Sequence, residues 1–145
     1  MNVDLWIDGS YNILTNTVGA GFVMYCKDFD IDLDGSTHSE DVYNAKNVYG
    51  EILAVKSSIN FLLQITSKYK YLYPLNVTIY YDYSGLEKWV TGEWKAKTNL
   101  TKEYRDFILP ISSIMNLTFV KVKSHSGSLF NDRADILAKK ACGLL

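Results

Sequence analysis

The stretch VDLWID, residues 3–8, alternates Val3, Leu5 and Ile7 with Asp4, Trp6 and Asp8, the period of a strand with one buried face. VGAGFVMYC (18–26) reads as a second strand. DFDIDLDGS (28–36) interleaves Phe29, Ile31 and Leu33 with acids, which predicts a third strand with one wet face. From about Lys46 the period changes. Val48, Ile52, Val55, Ile59 and Leu62 recur at three and four, predicting an amphipathic helix of roughly five turns. NVTIYYD (76–82) and LTFVKVKSH (117–125) are short apolar strands. Two helical stretches lie between them, over 85–91 and 101–115, and Pro110 is expected to kink or split the second. The final helix, NDRADILAKKACG (131–143), offers Asn131 as its cap, early acids, late lysines and Gly143 as a stop.

The order βββ-α-β-α-α-β-α predicts an α/β fold, a mixed sheet flanked by helices. The sequence contains no internal repeat, linker or low-complexity run. Its 145 residues can bury one sizeable core, so a single domain over 1–145 is expected. No run approaches the ~18 apolar residues that a bilayer span requires. The N-terminal MNVDLWIDGS lacks the basic start of a signal peptide, which makes a cytoplasmic protein without membrane partners the expectation. Cys26 and Cys142, far apart and outside any metal-ligand spacing, are expected as buried free thiols.

Net charge is −1, which alone argues against a nucleic-acid partner. The average conceals a split. Residues 1–45 hold eight acids and one base, whereas 46–145 hold eight acids and fourteen bases. Such asymmetry permits a basic face on a nearly neutral protein.

Four acids stand out by position: Asp8 in the first strand, Glu51 beside the apolar stripe of the long helix, Asp82 closing the fourth strand, and Asp135 in the last helix. Each has an ordinary explanation as a turn former, a solvated helix residue, a cap or a dipole partner. Their combination is less ordinary. If strands one and four are neighbours, Asp8 and Asp82 lie side by side, and clustered carboxylates repel unless cations neutralise them. Hard oxygen ligands suit Mg²⁺ or Mn²⁺ rather than zinc. Two such ions about 3.5–4 Å apart support phosphoryl transfer.

The motifs WIDGSYN (6–12), NVYGEILAV (47–55), YYDYSGLEKWVTGEWKAK (80–97), KVKSHSG (121–127) and NDRADILAKKA (131–141) occur in an order that resembles the type 1 ribonuclease H family along nearly the whole chain. The resemblance implies a ribonuclease H-like fold: a five-stranded mixed β-sheet, its first three strands antiparallel, flanked by α-helices. It implies that Asp8, Glu51, Asp82 and Asp135 are the family's metal-binding D-E-D-D set. Asp135 takes the last place because it precedes Ile-Leu-Ala, with Asp132 as a nearby acid. His125, in a small polar loop, matches the family's histidine that assists catalysis or product release; a surface loop histidine is the plainer reading. Trp89 and Trp94 match the aromatic pair lining the family's DNA-strand channel, although Trp89 could equally pack into the core. Lys95 and Lys97, with Lys88, Lys102 and Lys121, supply cations near phosphates. Thr101 sits roughly where the family contacts a DNA phosphate. Ser10, Asn12 and Asn47 are candidates for reading the 2′-hydroxyl, with turn formation and helix capping as alternatives.

The implied activity is metal-dependent hydrolysis of the RNA strand of RNA–DNA hybrids, by a monomer using two Mg²⁺ ions, with Mn²⁺ as a substitute. Products would carry 5′-phosphate and 3′-hydroxyl ends. The rivals are another nuclease of the same fold acting on DNA, and a non-catalytic hybrid- or RNA-binding module. The segment from Trp94 to Thr101 is too short for a projecting basic handle, so binding should be weak and strongly salt-dependent. The acidic stretch 28–34 is expected to face away from the hybrid.

Overall fold

The computed structural model describes residues 1–123 and 128–145. Val3, Leu5 and Ile7 are almost wholly buried, and they anchor β1 (Asn2–Asn12) at the centre of the sheet. β2 (Thr17–Cys26) and β3 (Ile31–Glu40) follow it as an antiparallel meander. α1 (Asn47–Thr66) leads to β4 (Asn76–Tyr81), then α2 (Gly85–Thr91), α3 (Asn99–Ile111), β5 (Asn116–Lys121) and α4 (Leu129–Ala141). The sheet order is β3-β2-β1-β4-β5, with β1, β4 and β5 parallel. The expected five-stranded mixed sheet is therefore present, and strands one and four are neighbours.

Successive residues of a strand point to opposite faces. Gly9 is directed at α1 and Gly21 at α4, so the two helices cover opposite sides of the sheet. The α1 face is the main core, in which Ile52, Val55, Ile59 and Leu62 meet Leu5, Ile7, Val77 and Ile79. The α4 face carries Asp8, whose cross-strand partner is Gly21. There Trp6 stacks on Tyr80 at 4.0 Å, and Phe130 of α4 leans against Trp6 and Tyr25.

Several local expectations shift. The residues 27–30 form a 3₁₀ turn ending at Asp30, whose φ is +50°, so the third strand starts at Ile31 and runs on to Glu40. An alternating pattern cannot separate a hairpin turn from the strand that continues it. Two acids of this edge strand are engaged: Arg133 of α4 pairs with Asp32 at 3.2 Å and Asp34 at 2.8 Å. α3 runs through Pro110 but ends one residue later, at Ile111, four residues short of the expected end. α3 begins earlier than expected because Thr98 and Thr101 form a reciprocal capping box. α4 is capped by Ser128 instead of Asn131, which moves Asn131 inside the first turn. Asn47 is likewise the first helical residue and not the cap of α1. Cys26 and Cys142 are both buried and free.

Candidate metal and nucleic-acid site

The second half of β1, the start of α1 and residues 131–139 of α4 converge beside the C-terminal end of β4. The parallel register sets Trp6 beside Tyr80, which places Asp8 and Asp82 at corresponding positions, each two residues past that pair. Asp8 is held locally, its Oδ1 accepting the N–H of Gly9 at 2.9 Å. Glu51 reaches the same end from the other face because α1 lies in backbone contact with β1. A Cβ added to Gly9 would collide with the Glu51 amide and lie 2.6 Å from the Gly50 carbonyl carbon. Only a strand and a helix that both present glycine can approach so closely.

A cleft of about 230 Å³ gathers Asp8, Ser10, Asn47, Glu51, Asp82 and Asp135 on its walls, with Asn131, Asp132 and Lys139 completing it. Burial pushes the Asp8 carboxyl up to about 7, with Asp135 and Asp82 adding their repulsion. Burial likewise raises Glu51 to about 8, aided by Asp8 and Asp82 and opposed by the N–H groups of Tyr83 and Asp82 that bond it. Its Oε1 is buried without a hydrogen-bond partner. An orphaned acceptor beside repelling carboxylates lacks a positive charge. Lys139 supplies part of it, pairing with Asp135 at 3.0 Å one turn along α4. Among the described residues, no three acids are already gathered closely enough to hold an ion. The donor set is all hard oxygen, which fits a divalent ion of the Mg²⁺ class.

A second concavity, a groove of about 450 Å³, lies beside the cleft between Tyr43, Asn44, Ala45 and Val48 on one side and Tyr83, Trp89 and residues 98–101 on the other. Trp89 is 8% exposed and packs on Tyr104, so most of its ring is core. Trp94 is 37% exposed, meets Trp89 edge-on, and carries the Lys88 ammonium 5.2 Å above its ring. Lys95 and Lys97 are exposed around buried Ala96.

The family profile described as RNase H matches residues 1–143. This chain belongs to the RNase H family. Ribonuclease H of Prosthecochloris aestuarii is 35% identical over 80 residues, which cover 47% of this chain and 55% of that protein. The matched stretch thus spans about half the length of such relatives. Among solved structures, LC11-RNase H1 in complex with an RNA/DNA hybrid superposes with a TM-score of 0.79 at 21% identity, covering 97% of this chain and 96% of that one. RNase H1 of the archaeon Halobacterium salinarum gives 0.75 at 19%, covering 99% and 98%. These last two likenesses establish the fold.

The predicted site residues divide into groups. Asp8, Glu51, Asp82 and Asp135 come together, and Ser10 and Asn47 share their cleft. Trp89 and Thr101 line the groove, though Thr101 is buried and spends its hydroxyl on the Thr98 cap. Asn12 does not line the cleft: its amide donates to the Cys142 carbonyl at 2.9 Å and its oxygen accepts from the N–H of Leu14. A polar residue at a strand end does not announce whether its partner is solvent, ligand or a distant helix terminus. His125 lies outside the described residues. Sequence reasoning missed Lys139, Asn131 and Tyr83. The i,i+4 spacing of Asp135 and Lys139 was a visible signal for the first.

Proposed function

We propose that this protein hydrolyses the RNA strand of RNA–DNA hybrids. The observation that carries the reading is the cleft lined by Asp8, Glu51, Asp82 and Asp135, in which one Glu51 oxygen is buried without a partner, next to an aromatic groove. Family membership and the fold shared with an RNase H1 that binds an RNA/DNA hybrid support it.

In this reading Asp8, Glu51, Asp82 and Asp135 would hold two Mg²⁺ ions, replaceable by Mn²⁺, which when bound would supply Lewis-acid polarisation for hydrolysis to 5′-phosphate and 3′-hydroxyl ends. The chain's own residues do the rest. Burial keeps Asp8 and Glu51 poised to exchange protons for cations near neutral pH. Ser10 and Asn47 offer hydrogen bonds to the RNA strand at the cleft wall, where a 2′-hydroxyl both donates and accepts. His125 handles a proton at the leaving oxygen, a task suited to an imidazole near neutral pH. Trp94, with Lys88, Lys95 and Lys97, gives the DNA strand an aromatic face and phosphate contacts. The protein acts as a monomer in the cytoplasm.

The test is cleavage of a labelled RNA–DNA hybrid with Mg²⁺ or EDTA, beside RNA duplex, DNA duplex and an Asp8→Asn variant. Cleavage confined to the hybrid's RNA strand, and lost with EDTA or in the variant, is expected. Cleavage of DNA duplex would assign the cleft to a DNA nuclease, and binding without cleavage in either metal would remove the enzymatic reading.

A further inference from the structure

The segment from Asp41 to Lys46 carries the chain from β3 to α1, and it is bent against its own preferences. Asn44 and Lys46 have φ of +53° and +54° although neither is glycine. At Lys46 ψ is −127°, a combination that side chains with a Cβ rarely adopt. Lys46 is also the residue that caps α1, yet no side-chain hydrogen bond caps that helix, and its first turn contains no acid.

The compensation comes from five residues upstream. Asp41 is 6% exposed. Its Oδ1 accepts the N–H of Ala45 at 3.0 Å and its Oδ2 the N–H of Lys46 at 2.9 Å. Its own N–H donates to the carbonyl of Asn16 at 3.0 Å, tying the clamp to the turn between β1 and β2. A carboxylate that places both oxygens on consecutive amides makes charge-assisted bonds of defined direction, strong enough to hold an unfavourable backbone.

What the clamp holds is a ridge. Asn47 lines the acid cleft, whereas Tyr43, Asn44, Ala45 and Val48 line the aromatic groove. A duplex that puts one strand in the cleft and the other along the groove must lie across this ridge. Asp41 itself lines neither concavity and acts only through the backbone it fixes.

We infer that Asp41 is a positioning residue for the duplex: its buried carboxylate fixes the 44–47 ridge so that the two strands reach the cleft and the groove together. The inference rests on the hybrid-cleaving function proposed above. A carboxylate that merely capped α1 would affect folding without affecting substrate capture selectively, so the two roles separate kinetically.

The experiment compares Asp41→Ala, Asp41→Asn and the parent protein in steady-state hybrid cleavage, alongside hydrogen exchange at the amides of Ala45 and Lys46. In Asp41→Ala, KM should rise about tenfold, the equivalent of roughly one charge-assisted hydrogen bond, while kcat stays within about twofold. Asp41→Asn keeps one acceptor but turns an NH₂ group toward the second amide, so its KM should fall between the other two. Should the alanine variant fail to fold, the asparagine variant carries the same reading. Exchange at both amides should accelerate. Unchanged KM in both variants with deprotected amides would overturn the inference and leave the proposed function standing. A fall in kcat at constant KM would overturn it too, assigning Asp41 to the placement of Glu51. A parent that does not cleave the hybrid would overturn the function and this inference together.

Discussion

Gly50 sits on Gly9 so closely that a Cβ on Gly50 would lie 3.0 Å from the Gly9 Cα and 2.7 Å from the Gly19 carbonyl oxygen. The contact brings the first turn of α1 onto β1, and Glu51 to Asp8. The three nearest neighbours of a Cβ at Gly50 are all backbone, so side-chain rotation cannot relieve these contacts. Gly9→Ala and Gly50→Ala should therefore each destabilise the protein by about 1–3 kcal/mol through overpacking. A shift of about 1 Å at Glu51 should lower kcat by roughly a hundredfold. Thermal unfolding and single-turnover cleavage would check both. A variant with full activity would show that Glu51 reaches Asp8 without the glycine contact.

Asp8 and Glu51, raised to about 7 and about 8, make stability depend on pH in an uncommon direction for carboxylates. Unfolded, both groups titrate near ~4. Between there and about pH 8 the folded protein binds more protons than the unfolded chain, so their contribution is fully present at low pH and is lost as pH rises through 7–8. In EDTA, the Tm should fall between about pH 5.5 and 8.5, and Mg²⁺ should restore it most at the upper end, where it binds the ionised groups. Asp8→Asn should flatten this slope and raise the metal-free Tm by about 2–4 °C while abolishing cleavage. A metal-free Tm that rises over the same range would contradict the burial of these two acids.

Lys139 is the cation already in the cleft, 3.0 Å from Asp135. A divalent ion that recruits Asp135 must compete with this ammonium. Lys139→Met keeps the aliphatic stem and removes the charge, so the Mg²⁺ concentration for half-maximal activity should fall by about two- to fivefold, the range expected of a partly exposed ion pair. A metal titration of hybrid cleavage reads this directly. A rise in the midpoint would mean that Lys139 assembles the site rather than competing for it.

The order of elements was legible in the sequence because apolar period changes cleanly from two to three-and-four at Lys46, and because the helix sides of α1 are apolar where they meet the sheet. The four carboxylates were legible only through motif order, since each acid alone is an unremarkable cap or turn residue. Their environment was not legible. Nothing in "YGEI" states that Gly50 touches Gly9 across forty residues, or that Glu51 is left 5% exposed with one oxygen unpaired. The partners of Asn12 and Thr101 were not legible for the same reason: Cys142 and Thr98 are set by packing or by a local cap that the family motif does not encode. Asp41 escaped notice because its work is done on main-chain amides, which have no sequence signature.

Trp89 and Trp94 separate stability from recognition. Trp89 is 8% exposed among Tyr83, Trp94 and Tyr104, so Trp89→Ala should cost about 3–5 kcal/mol by opening a cavity in that cluster. Trp94 is 37% exposed beneath Lys88. Trp94→Ala should cost little stability but weaken hybrid binding by about 1–3 kcal/mol, the range for one base or sugar lost from an aromatic platform. Denaturant unfolding and hybrid binding in Ca²⁺ would measure the two separately. Equal losses of stability would show that Trp94 is a packing residue, and the DNA strand would then have to follow the Tyr43–Val48 side of the groove alone.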